Sequence, residues 1–338
     1  MTRLAVDPRP AAPDPDPGQI GDDRAGARQG AGSRRSATWL HRIRRDGILT
    51  LFVLPGLAVL LVFHYLPLLG NVIAFQDYLP FLGIGGSPWV GLENFGVLIN
   101  GDPAFLRALA NTLIITLVQT IFVFPVPIAF ALLLNSLLSE RVKRAVQLIT
   151  YLPHFLSWVV VVAVFQHVLG GGGMINNWLR ARGYESVDLI TNPDAFIGLI
   201  TAQVIWKDTG WATILFLAVL STVDTELYEA SSVDGASRIR QLWHVTLPAM
   251  RGIIVLLLIL KLGDSLTVGF EQILLQQNAV GRHASEVLDT YVYNNGVVGG
   301  NWGVAAAVGL VKGVVGVALV VGANRIAHAL GEAGVYQR

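Results

Sequence analysis

Six long apolar stretches set the rhythm of the chain, and most polar residues gather between them. They cover residues 48–75, 108–134, 146–169, 195–219, 250–270 and 304–326. Each can cross a hydrocarbon core as a helix, which takes about 20 residues. Pro55, Pro67, Pro125 and Pro127 fall inside the first two. Membrane helices tolerate proline because neighbouring groups re-satisfy the freed carbonyls. Six such stretches do not fit inside one soluble core. The pattern therefore predicts an all-α polytopic membrane protein with six transmembrane helices. Residues 1–38 read differently: five Pro, five Gly, several Asp and Arg, and no aromatic residue. Such a segment cannot bury enough apolar area to offset its ordering entropy. It is expected to be a disordered tail ahead of one transmembrane domain at 39–338.

Composition agrees. The 338 residues are 53% hydrophobic and 14% charged, and mean hydropathy is +0.56. Soluble chains carry about 25% charged residues. The absence of cysteine excludes a disulfide scaffold, a thiolate metal site and a thiol enzyme. The formal net charge of +1 argues against a nucleic-acid partner. Position says more than the total. Seventeen Lys and Arg fall in the N-terminal segment, the second and fourth connections and the C-terminus, against four in the other connections. By the positive-inside bias both termini are expected in the cytoplasm. The connections at about 76–107, 170–194 and 271–301 then face outward.

The connection at 224–248 has helical pattern on both sides of a glycine. Asp224 suits an N-cap and Glu226 the first turn. Gly235 can take positive φ and turn the chain. Ile239, Leu242 and Trp243 form a second apolar stripe, and Pro248 suits the first turn of the next helix. Two short helices at an angle, lying under the membrane, are expected. On these residues alone the pair is either an interfacial hairpin or a docking element for a cytoplasmic protein.

The spacing here resembles a known motif. Glu229-Ala230-Ser231, Gly235 six residues after Glu229, and Val245-x-Leu247-Pro248 are similar to the EAA loop of binding-protein-dependent ABC importer permeases. Ser231 and Val245 stand where that pattern has Ala and Ile. Asp234-Gly235-Ala236 is similar to the carbohydrate branch. The likeness extends to LPG at 54–56, YLPLLGNVIAFQDY at 65–78, WVGLENF at 89–95, YLPHFLSWVVV at 151–161, VGFEQILL at 268–275, VLDTYVY at 287–293 and AVGLVKGVVG at 307–316. These resemble the lipoprotein/polysaccharide-type carbohydrate permeases.

The resemblance implies a type I importer half-channel in a bacterial cell membrane. It implies a second permease subunit, as a heterodimer, two cytoplasmic ATPases and an extracytoplasmic solute-binding protein, with a carbohydrate, an oligosaccharide in particular, as cargo. It assigns ATPase coupling to Glu229, Ala230, Asp234, Gly235, Ala236, Leu247 and Pro248. No cofactor of its own is expected. No GxxxxGK[ST] loop exists in the chain, so ATP would belong to the partner subunits. The same importer architecture with a non-sugar cargo, a membrane enzyme and a self-sufficient channel are the alternatives. Neither HExxH nor GxSxG occurs, and a self-sufficient transporter needs no cytoplasmic lever.

Charges inside spans are costly and point to function by default. Lys207 and Asp208, flanked by Trp206 and Trp211, together with Lys261 and Asp264, are the candidate substrate pathway: hydrogen-bonding groups and aromatic faces suit sugar rings. Lys312 is a further intramembrane charge. Structural ion pairs or lysine snorkelling are the competing explanations. His64, His154 and His167 are scattered, which favours packing or interfacial hydrogen bonding over metal binding. Asn111 and Gln119 are expected to bond between helices, and Gly309, Gly313 and Gly316 to allow close helix packing.

Overall fold

A computed structural model describes residues 47–137, 139–329 and 331. The expected tail at 1–38 lies outside the described residues. The described residues fall into two units, 47–70 and 71–331.

In the first unit α1 (Gly47–Leu60) carries Pro55 internally. A π-turn follows at Leu61–Tyr65, closed by the Leu66 amide donating to the Leu61 carbonyl. Pro67 comes next. Proline has no N–H and its ring crowds the carbonyl four residues back, and the wider π-turn moves that carbonyl aside. The first span, Leu51–Phe75, thus stays helical throughout.

In the second unit, short helical turns at Gly83–Gly86, Glu93–Phe95 and Gly96–Ile99 precede α2 (Pro103–Phe122), which is capped by Asp102, whose side chain accepts from the Phe105 amide at 2.8 Å. After a short break α3 (Pro125–Asn135) completes a 33-residue span. Its outer face explains why it belongs in lipid. Leu113, Leu117 and Ile121 recur every fourth residue and are exposed, whereas Thr112 and Gln119 are buried. A water-soluble helix has the opposite arrangement. Asn111 does bond between elements, donating to the carbonyls of His283 and Glu286.

The third apolar stretch is not one helix. α4 (Glu140–Tyr151), capped by Ser139, gives way to a 3₁₀ turn at Leu152–Phe155. Leu156 and Ser157 are extended, and Ser157 caps α5 (Trp158–Leu169). The expected 146–169 span is thus broken by Pro153 and a new N-cap. α6 (Met174–Ala181) follows.

α7 (Pro193–Leu220) has 28 residues, about 42 Å at 1.5 Å per residue. It turns through 71° into α8 (Thr225–Val233). α9 (Arg238–Gln241) is not a second separate short helix. It continues through a π-turn at Leu242–Thr246 into α10 (Leu247–Gly263), one span of 26 residues. The Leu247 amide donates to the Leu242 carbonyl immediately before Pro248, repeating the device at Pro67. α10 ends at Gly263, short of the expected 270.

The expected outward loop at 271–301 is largely helical: α11 (Phe270–Val280), α12 (Arg282–Ser285) and α13 (Leu288–Val292), with a π-turn at Tyr293–Val298. α14 (Trp302–Ala329) closes the fold. A buried amide network fastens α11. Gln203 on α7 accepts from Gln272 and exchanges bonds with Gln276, and Asn294 donates to Gln277 and Glu286. Phe196, Ile200, Ile273 and Val287 pack beside it.

Candidate functional site

Two places carry candidate chemistry. The first is the elbow at α8. Asp224 accepts from the Glu226 amide at 3.0 Å, and Gly235 has φ +75°. That conformation is open to glycine and strained for other residues. Gln241 then ties the elbow shut. Its amide donates to the Tyr228 carbonyl and to the Ser231 and Ser232 hydroxyls at 2.8–3.2 Å, and Tyr228 pairs with Thr246 at 3.1 Å. Ser231, which replaces the alanine of the motif, therefore gains a partner. The outer side of the elbow exposes Leu227, Glu229, Ala230, Val233, Asp234 and Gly235, with Val233 at 88%. Of the other motif residues, Ala236 and Leu247 are half-buried and Pro248 is exposed.

The second place is the knee between α4 and α5. A break in a span frees carbonyls that lipid cannot satisfy. Lys207, only 7% exposed, supplies the missing donors: its Nζ lies 2.6 Å from both the His154 and Leu156 carbonyl oxygens. It also sits over the Trp158 ring. One turn along α7, Gly210 lets the backbones touch, since a Cβ there would overlap the Thr150 carbonyl. Gly210 is ten residues from the end of the 28-residue α7, about 15 Å along the axis, so the knee packs against the middle of α7.

Asp208 accepts from His154 Nδ1 at 2.9 Å, and both side chains keep about a third of their exposure. Trp211 stacks on His154 with centroids 4.7 Å apart and planes 2° apart. Lys261 on α10 interacts electrostatically with both Asp264 and Asp208. The structure thus brings Lys207, Asp208 and Trp211 together at the knee, with Lys261 within electrostatic reach of Asp208. Trp206 points elsewhere, edge-on to Phe165 at 5.7 Å.

Lys312 is separate. It pairs with Asp289 on the wall of a groove of about 630 Å³ that Asp264 and Thr267 also line. Gly309 and Gly313 line that groove with open space beside them, rather than packing against a neighbouring helix. Gly316 alone approaches another helix, at the Gly263 carbonyl. Asp289 and the glutamines of α11 escaped the sequence reading because they sit in a segment taken for a loop. The available signal was the run Gln272, Gln276 and Gln277 within apolar neighbours.

Comparison with known proteins places this architecture. A profile of the family described as binding-protein-dependent transport system inner membrane component matches residues 121–331. The polygalacturonan/rhamnogalacturonan transport system permease protein YteP of Bacillus subtilis is 47% identical, over 88% of this chain and 92% of its own length. Protein LplB of the same organism is 43% identical, over 89% and 95%. A chain from the crystal structure of a bacterial alginate ABC transporter, in complex with an alginate pentasaccharide-bound periplasmic protein, superimposes with a TM-score of 0.79 at 34% identity. It covers 87% of this chain and 99% of that one. The chain is therefore a multi-pass membrane protein that belongs to the family of binding-protein-dependent transport system inner membrane components.

Proposed function

We propose that this permease passes an oligosaccharide, handed over by a soluble binding protein, across the bacterial cell membrane. A second permease subunit completes the channel and two ATPase subunits drive it. The observation that carries this reading is the elbow: a short helix turned by 71° from a 28-residue span, with Leu227, Glu229 and Val233 uncovered at one end of the fold. Uncovered apolar and acidic side chains on a rigid bend are what a partner needs to grip. The excess of Lys and Arg in the connections on that side supports a cytoplasmic elbow, on the side where ATP is made. Both termini then lie there too.

ATPase closure would displace α8, and α7 would carry the motion about 40 Å into the membrane. Glu229, Ala230, Asp234, Gly235, Ala236, Leu247 and Pro248 are assigned to that coupling. The path itself is assigned to the polar neighbourhood at the knee, with Asp208, Trp211, Lys261 and Asp264 offering hydrogen-bond partners and an aromatic face. Lys207 holds the knee in place. Carbohydrate cargo is supported by the polygalacturonan/rhamnogalacturonan permease of B. subtilis and the alginate transporter, taken with these groups. The chain brings no cofactor, and ATP stays with the partner subunits.

The test is the assembled transporter in lipid nanodiscs with its binding protein. Glu229→Lys should abolish saccharide-stimulated ATP hydrolysis while the permease still inserts. Unchanged stimulation would overturn the coupling assignment, and no stimulation of the parent complex by any saccharide would overturn the cargo.

A further inference from the structure

Three residues of α7 converge on one residue of the knee. Lys207 holds the His154 carbonyl at 2.6 Å, Asp208 holds the ring Nδ1 at 2.9 Å, and Trp211 covers one face of the ring. Phe155 stands edge-on to both rings, at 80° and 82°. His154, Phe155 and Trp211 therefore form an aromatic corner with a carboxylate at its base. Trp211 is 48% and Phe155 71% exposed, so the corner is open. An open carboxylate–imidazole pair deep in a span does not face hydrocarbon. Non-helical backbone at that depth must be buried in protein or line a water-filled cavity.

The pairing also sets the chemistry of the ring. A carboxylate only accepts hydrogen bonds, so in the neutral ring Nδ1 carries the proton and Nε2 is the acceptor. Among the described residues nothing bonds Nε2. We infer that His154 is a substrate-contacting, specificity-determining residue, its Nε2 accepting a hydroxyl hydrogen from a pyranose whose apolar face lies in the corner made with Trp211 and Phe155. This rests on the oligosaccharide reading above. It adds a residue from the third span to the path, and it gives Lys207 and Asp208 the task of positioning that residue.

The experiment is saccharide uptake by the complex in proteoliposomes, with assembly checked by co-purification of all subunits. His154→Phe keeps the ring area and removes the acceptor. His154→Gln restores an oxygen near the Nε2 position. The uptake rate at subsaturating saccharide should fall about tenfold in His154→Phe, the worth of one hydrogen bond. His154→Gln should recover most of it. If His154→Phe does not assemble, His154→Asn against His154→Gln gives the same comparison, because Asn reaches only the Nδ1 position; Gln should then be faster. Parent-like uptake by His154→Phe, or equal uptake by the Asn and Gln variants, overturns the assignment. A parent complex that takes up no saccharide overturns the cargo reading itself, a result separable from the other two.

Discussion

The helical path breaks at 221–224, where α7 turns by 71° into α8, and at 152–157, where α4 gives way to α5. The two bends are held by different means. At the elbow the partners are close in sequence. Asp224 caps the next helix from two residues away, Gly235 turns the chain by its own φ of +75°, and Gln241 bonds back over 9 to 13 residues. At the knee the partners are remote. Ser157 caps α5 locally, but the freed carbonyls find their donor 51 and 53 residues away on Lys207. A bend in water can lean on solvent for whatever its own residues leave unpaired. A bend within a span cannot, and it borrows a cation from a neighbouring helix.

That contrast orders the expected effects of mutation. Lys207→Met should be the most damaging change. It leaves two partly buried carbonyls unpaired, and at about 1–3 kcal/mol for a fully buried one the cost is about 3 kcal/mol in all. Thermal unfolding of the purified permease in nanodiscs measures this, and hydrogen exchange should rise in both the 150–160 and 203–213 segments. A midpoint shift no larger than that of an elbow variant would mean that the knee holds itself.

Gly235→Ala comes next. A left-handed residue costs about 1–2 kcal/mol when it carries a Cβ. The effect should stay local, with faster exchange at 225–236 and none at 150–160. Loosening at the knee would show that the two bends are one cooperative unit. Asp224→Ala removes only the cap and should cost about 1 kcal/mol. Its exchange signature should be confined to the first turn of α8, and spread beyond Val233 would contradict a simple cap.

The same contrast explains what was readable in the chain. Asp224, Gly235 and the apolar stripes were legible because their roles depend on neighbours in sequence. So were the spans other than the third, since span length is a local property. The knee was only half legible. Pro153 and Ser157 are local signals of a break, but apolar residues on both sides hid it inside one stretch. His154 looked like an isolated packing histidine because Lys207, Asp208 and Trp211 meet it only after folding. Lys207 itself was noticed for its cost in the membrane, and its partners are backbone carbonyls, which carry no mark in a sequence. The second short helix was misjudged for a related reason. Pro248 signals a helix start in water, whereas here the π-turn at Leu242–Thr246 lets α9 run through it into α10.

The smallest expected effect lies at the end of the fold opposite the elbow. Asp188 sits between α6 and α7 and accepts from both the amide and the hydroxyl of Thr191. The hydroxyl bond first, then the amide bond, holds its carboxyl below the usual aspartate range. The sign follows from linkage. A carboxyl whose folded value is depressed contributes stability above its unfolded value, about 3.9, and that contribution is lost as pH falls through the folded value. Asp188 is fully exposed, so the contribution to global stability is small and the titration itself is the better readout. Carboxyl-carbon NMR of selectively labelled permease should give Asp188 a midpoint below that of other exposed aspartates, and Thr191→Val should move it up. Lys207→Met should leave it in place, because a turn closed within four residues owes nothing to the knee. A midpoint that moved with Lys207 would mean that remote support reaches even this end of α7, and the division between locally and remotely held bends would fail.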